Sequence, residues 1–439
     1  MRSVAVIGSG IAGLSVARGL TGQARVTLYE AGAHFGGHAN TVDIHVDGVS
    51  HGVDTGFLVL NERTYPNLIA LFADLDVALA PSEMSFSVQA VDAGIEWSGS
   101  NLDTVFAQRA NLLRPRFWRM LAEIIRFNRV CTVLAEGGGE LALDEPIGDF
   151  LDRERFTRPF RDWYLLPMIG CIWSCPTDQM LRFPIATLIR FCHHHGLLQI
   201  ANRPRWFTVE GGSRRYVERM LASIPDARLN TPVHQVRRVP AGRADAGVWI
   251  HAGRDGGGST ERFDEVVFAC HSDQALALLA DASADERSVL GAIRFHSNRA
   301  VLHTDASVLP RRRRAWAAWN YRRAGDAADE RAGVCLHYWL NRLQPLPFTT
   351  PVIVSLNPLV APRDALVHGE FDYAHPVFDR AAIAAQQRLP ELQGRAHSWF
   401  CGAWTGYGFH EDGLVSGLAV CAGLRSAWAA ADAIRKEAA

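Results

Sequence analysis

An α/β fold, in which a parallel-sheet domain is interrupted by a mixed-sheet and helical domain, is predicted by three observations. The chain opens on a short apolar run followed by glycines at G-x-G-x-x-G spacing, Val4 to Gly13, and a second apolar run ending at Glu30. A long, mostly helical stretch from about residue 101 to 196 never repeats that opening. A glycine-rich aromatic loop, Cys401 to Gly417, then leads into an apolar helix reaching about Ile434.

The opening reads as strand, tight turn, helix, strand. Gly8 makes the turn, Gly10 lets a pyrophosphate approach the backbone, and Gly13 lets the helix pack close to the strand. Ile11 and Ala12 begin a helix whose free N–H groups and positive dipole end face the phosphates. Glu30 stands 17 residues after Gly13, where a carboxylate accepts both ribose hydroxyls of an adenosine. Past it, Ala31 to His38 carries a second glycine pair, Gly36-Gly37, suited to a backbone wrapped around a cofactor longer than NAD. In glutathione-reductase-like flavoproteins that extension accompanies FAD, so the expected fold is a Rossmann FAD-binding domain of that kind with the insert as substrate domain. The expected boundaries are 1–75, 205–285 and 391–439 for the first, 76–204 and 286–390 for the second.

Composition bounds the partners. The 439 residues are 48% hydrophobic and 21% charged with a formal net charge of −1, which suits a globular chain and supplies no field for nucleic acid. The one dense basic run, Arg311 to Arg314, reads as a solvated loop. Eight scattered cysteines, several in apolar stretches, suit reduced core thiols and a cytoplasmic setting. Cys171 and Cys175 lack a second pair for zinc, and redox chemistry there is the minor reading. No leader and no uninterrupted membrane-length apolar stretch is read from the sequence.

Along the chain, Thr41–Val46 and Val49–Val53 flank Asp47-Gly48 as a hairpin, and Asp54-Thr55-Gly56-Phe57 follows. Helical periodicity marks 64–75, and a second hairpin surrounds Asp92-Ala93-Gly94. In the insert, Asn111 to Val130 interleaves five arginines (114, 116, 119, 126, 129) with Leu, Ile, Phe, Trp and Met. A cap-domain helix with one buried face explains this most simply; a helix in a membrane interface, at the inner face of the membrane, is the alternative. His193-His194-His195 point in different directions on a helix and have no carboxylate in register, so no metal site is expected. After Glu210-Gly211-Gly212, a helix covers 216–222 and strands begin near Val233, Val248 and Phe263, the last ending at Ala269. Residues 296–303, 334–341 and 351–357 read as a second sheet, with helix near 378–390.

Both ends and the middle together resemble the flavin-containing amine oxidase and phytoene desaturase superfamily: the G-S-G-I-A-G start, Glu30 to Gly37, Glu210-Gly211-Gly212, Val266 to Ala269 and Cys401 to Gly417. More narrowly, Asp54 to Phe57, Tyr338 to Gln344, His375-Pro376 and Gly402 to Gly413 resemble a bacterial branch of predicted FAD/NAD-binding oxidoreductases. That branch is linked with fatty-acyl methyltransferases of the cyclopropane-synthase type. The resemblance implies FAD, a hydrophobic or lipid substrate, a methyltransferase partner, and hydride transfer from a C–H bond to flavin N5. The expected product is a desaturated methyl-branched or unsaturated acyl chain; a redox-neutral isomerase and a flavin-binding scaffold are the alternatives.

Many amine oxidases place a lysine over N5, whereas the sole lysine here is Lys436. For proton abstraction His410 and Glu411 come first, then His375 and Tyr407. The cofactor-binding set is Gly8, Gly10, Ile11, Ala12, Gly13, Glu30, Ala31, Gly36, Gly37, His38, Thr55, Gly56, Phe57, Val233 beside the adenine, Ala269, Gly402 and Ala403, with Asp412, Gly413 and Leu414 at the flavin ring.

Overall fold

The computed structural model describes residues 1–137, 145–174, 176–199, 203–240, 243, 245–254, 258–323 and 334–437. Its first layer is a five-stranded parallel sheet in the order Asp226–Arg228, Arg25–Tyr29, Ser3–Ile7, Glu265–Phe268, Ser398–Phe400. Alternation along Ser3–Ile7 assigns its two faces. Val4 and Val6 enter a core with helices Ile11–Leu20, Arg214–Leu221 and His410–Glu437. Ala5 and Ile7 enter another, against the antiparallel strands Val233–Val239, Gly247–Ala252 and Ser259–Phe263. Apolar side chains on both faces are why these strands read as continuous apolar runs.

A seven-stranded mixed sheet forms the second layer, in the order Val367–Pro376, Phe295–His303, Ile353–Leu356, Cys335–Trp339, Trp319–Arg323, Phe86–Ala90, Ile95–Ser98. Trp319–Arg323 and Phe86–Ala90 run parallel; the other neighbours are antiparallel. Helices from the 102–194 stretch pack on it around Phe117, Phe127, Phe150, Phe160 and Ile189. The longest of these begins at Pro115, not at Asn111, and ends at Glu136. Proline suits the first helical position because it has no N–H to leave unpaired, and Arg109–Leu113 form a 3₁₀ turn before it.

Several strands escaped the sequence reading, Asp226–Arg228 and Trp319–Arg323 among them. Leu60–Asn61, Leu79–Ser82 and Trp206–Val209 form a small antiparallel sheet, each too short for alternation to show. Val367–Pro376 is longer but lies at a sheet edge, paired only with Phe295–His303, and its partly exposed faces blur the pattern.

A buried carboxylate joins the layers. Asp54 accepts hydrogen bonds from Thr41 Oγ1, Ser213 N and Oγ, and Gln344 Nε2. Burial raises its pKa despite these donors. Gln344 ends the Tyr338 to Gln344 motif, and Asn341 of the same motif holds the next loop through Phe348 O, Thr350 O and Val352 N. Two signature segments of the sequence are therefore clamps of the architecture.

Among the described residues only His410–Glu437 is long and apolar enough to cross a membrane. Gly413, Leu414, Gly417, Val420, Cys421, Leu424 and Trp428 are buried along it, several against the first helix, as in a core helix. The seven described cysteines are free, and burial raises the pKa of each. Cys175 lies outside the described residues.

Candidate cofactor and substrate site

One cavity of about 1770 Å³ runs between the two layers. Ligand pockets usually span about 300–1,000 Å³. This one has room for a dinucleotide and a second molecule together. At one end it is walled by Gly8, Ser9, Gly10, Glu30, Ala31, Gly36, Gly37 and Val233; at the other by Leu121, Ile124, Ile125, Met168, Ile172 and Tyr164.

The glycine end is built by close approach. A Cβ on Gly13 would lie 1.9 Å from Gly8 O, so only glycine admits this crossing of helix and turn. Gly8 has φ +102°, and a Cβ there would meet Ala269 O at 2.9 Å. At Gly10 the space is open, and the helix that follows carries neither a side-chain cap nor an acid in its first turn. Uncapped N–H groups facing an open cavity suit an anionic pyrophosphate. Glu30 is held in position by Ser9 N (3.0 Å) and Gly32 N (2.7 Å) donating to its two oxygens.

Seventeen of the residues singled out from the sequence line this cavity: Gly8, Gly10, Ile11, Ala12, Glu30, Ala31, Gly36, Gly37, His38, Gly56, Phe57, Val233, Ala269, His375, Gly402, Ala403 and His410. Seven do not. Gly13 acts through packing alone, and Thr55 instead bonds Asn40 O and the Tyr373 hydroxyl. Glu411 is corrected as a base candidate: its carboxylate caps helix Pro66–Asp74, accepting from Asn67 N and Leu68 N at 2.9 Å. Tyr407 packs against Phe191 in the substrate-side core. Asp412 folds back to accept from Phe409 N, Gly413 packs on Ile11, and Leu414 is core. The reason is helical geometry, since only the first residue of the last helix projects past its end into the cavity.

That residue, His410, stacks on Phe57 with ring centroids 3.8 Å apart, and its Nε2 bonds the Tyr216 hydroxyl at 3.0 Å. Burial lowers its pKa to about 3. His375 bonds Asn298 Nδ2 through Nδ1 at 3.0 Å and is lowered to about 4, again by burial first. His38 lies edge-on to His375 at 5.4 Å; its Nε2 is shut from solvent with no hydrogen-bond partner, and burial lowers its pKa. The cavity thus has an imidazole-rich wall that is neutral at physiological pH.

Sequence reading missed Tyr373, His271 and Tyr338, all on the cavity wall. Tyr373 stands two residues before His375 on one strand face, so alternation through Phe371, Tyr373 and His375 was the available signal. His195 also reaches the cavity, stacked on Phe191 at 3.9 Å. No group of three metal-ligating side chains occurs among the described residues.

A glycine-spaced turn under an uncapped helix, an acid on the next strand and a second layer over one deep cavity define a dinucleotide-dependent two-layer oxidoreductase. The profile of the flavin-containing amine oxidoreductase family matches residues 11–302, and the chain belongs to that family as an FAD-dependent enzyme. Solved structures share its fold. Cyclohexylamine oxidase from Brevibacterium oxydans IH-35A aligns over 97% of this chain and 99% of that one, with TM-score 0.68 and 15% identity. A CLA-producing fatty acid isomerase from P. acnes aligns over 95% and 98%, with TM-score 0.65 and 16% identity. Putrescine oxidase with bound putrescine aligns over 97% and 99%, with TM-score 0.64 and 14% identity. No curated protein matches the sequence significantly.

Proposed function

We propose that this enzyme removes hydride from a C–H bond of a long unsaturated or methyl-branched acyl chain, giving a desaturated product. The observation that carries the reading is the cavity's far end, where Leu121, Ile124, Ile125, Met168 and Ile172 make a mostly apolar wall with Asn128 and Tyr164 among them and without a charged side chain from helices 115–136 and 166–173. The sole lysine, on the last turn of the final helix, is not among the residues lining the cavity. The flavin, when bound, supplies the hydride acceptor. Gly8, Gly10 and the start of helix Ile11–Leu20 would hold its pyrophosphate, Glu30 its ribose, and Gly402, Ala403 and His410 the ring end.

Desaturation also releases a proton, and His375 is the wall group to receive it, oriented by Asn298. Its lowered pKa, like that of His410, makes it a weak acceptor. This favours a second reading in which the hydride returns to another carbon and the double bond migrates without net oxidation. The fatty acid isomerase of the same fold supports that reading only by analogy.

Anaerobic mixing of the holoenzyme with unsaturated acyl chains tests both. Lasting bleaching of the oxidised flavin with a product two hydrogens lighter supports desaturation. A product of unchanged mass with a shifted double bond and reoxidised flavin supports isomerisation. Flavin reduced by amines and by no acyl chain overturns the proposal.

A further inference from the structure

The outer face of helix Pro115–Glu136 repeats at positions 118, 122, 125, 129 and 133, a stripe of helical period. Trp118 is 49% exposed, Ile125 50% and Val133 63%, and Leu113 just before the helix is 87% exposed. Arg129 stands within this stripe, and Arg119 and Arg126 stand beside it. Between residues 103 and 136 the chain carries six arginines (109, 114, 116, 119, 126 and 129) and three acids, Asp103, Glu123 and Glu136. Arg109 pairs with Asp103, Arg119 with Glu123, and Arg126 with Glu154 while lying over the Phe156 ring, which leaves a net positive face. Arg129 is exposed and has no ion pair with any described residue.

The same helix forms the cavity wall. Leu121, Ile124, Ile125 and Asn128 lie on the flank next to the stripe and line the cavity, and Ile125 belongs to both surfaces. Exposed Ser100 also lines the cavity, next to Leu102, which is largely exposed. An apolar surface therefore continues from the outside of the molecule into the cavity's apolar end.

We infer that this face docks on an anionic lipid bilayer, with Leu113, Trp118 and Val133 entering the interfacial region and the exposed Arg116, Arg119 and Arg129 at the headgroups. Exposed apolar side chains interleaved with arginine match a layer that is apolar beneath and negative above, and indole is favoured at that depth. Resting on the acyl-chain reading, the inference assigns the substrate's source: an acyl chain passes along Ile125 into the cavity without crossing water.

The test is sedimentation of the holoenzyme with phosphatidylcholine vesicles with and without phosphatidylglycerol. Binding is expected only with phosphatidylglycerol, falling as salt rises. Arg119→Glu with Arg129→Glu should weaken it by about tenfold or more, and Leu113→Glu with Val133→Glu should abolish it. None of these side chains lines the cavity, so each variant should keep its flavin and reduce it at the wild-type rate with a detergent-dispersed acyl chain. No binding by the wild type, or undiminished binding by both double variants, overturns the docking face. Vesicle binding without flavin reduction by any acyl chain keeps the docking face and overturns the acyl-chain chemistry instead.

Discussion

The two ends of the cavity are built on different principles. At the cofactor end the contacts come from backbone: glycines that admit close approach, uncapped N–H groups, and one carboxylate set by its neighbours. At the substrate end they come from side chains brought together from helices 115–136 and 166–173 and from strand 367–376. A backbone site tolerates no added atoms but depends little on chemistry. A side-chain site is the reverse, since substitution there changes which molecule fits without dismantling the frame.

The sharpest way to break this contrast is Gly13→Ala. Its Cβ would meet backbone, not a movable side chain, so turn and helix must separate. The expected outcome is a protein without FAD, destabilised by about 3 kcal/mol or more, checked by flavin absorbance and thermal unfolding. If FAD stays bound, the cofactor end is not a backbone site. Next is Asp54→Ala, which strips Thr41, Ser213 and Gln344 of their common acceptor. A loss of about 3 kcal/mol is expected, with flavin still bound in the protein that remains folded. Unchanged urea unfolding would remove Asp54 from the clamp.

Substrate-side changes should act on turnover. His375→Ala should leave flavin content and stability within about 1 kcal/mol while slowing anaerobic flavin reduction by about tenfold to a hundredfold. Equal rates would leave the isomerisation reading, which asks no proton acceptor of the wall.

The smallest effect is a pH dependence with an unusual sign. Asp412 is raised to about 6, by burial first, so between the ordinary carboxylate range and about pH 6 the folded chain holds the extra proton. Its contribution to stability therefore falls as pH rises through that window. Asp412→Asn should remove that cost and stabilise the protein by about 3 kcal/mol at pH 7, with no gain at pH 4. The buried histidines act oppositely. His410 and His375 are lowered to about 3 and 4, so the unfolded chain takes up the proton first and stability is lost as pH falls below about 6.5.

The same division explains what was legible in the sequence. Gly8, Gly10, Glu30, Gly36 and Gly37 could be placed because their spacing is local, and at Gly8, Gly36 and Gly37 a positive φ also demands glycine. Glu411 and Asp412 misled because adjacency to the flavin-side loop is not direction; consecutive helical residues point about 100° apart. Tyr373 could have been read from its strand alternation with His375, whereas His271, two residues past Ala269 and at the N-cap of the next helix, had no such pattern to mark it. His195, read from the sequence only as no part of a metal site, reaches the wall through a helix end that tertiary packing alone positions.

The outermost strand of the parallel sheet, Ser398–Phe400, joins Glu265–Phe268, which joins Ser3–Ile7, and Arg2 pairs with Asp432. A growing chain thus displays its whole glycine fingerprint by Gly37 and still owns no binding site. The ring end, Gly402, Ala403 and His410, emerges from the ribosome only some 365 residues after Gly37. Contacts of such sequence separation form slowly. Cofactor capture is accordingly a late event, and a ribosome halted at residue 390 would release a polypeptide that carries the motif and remains empty.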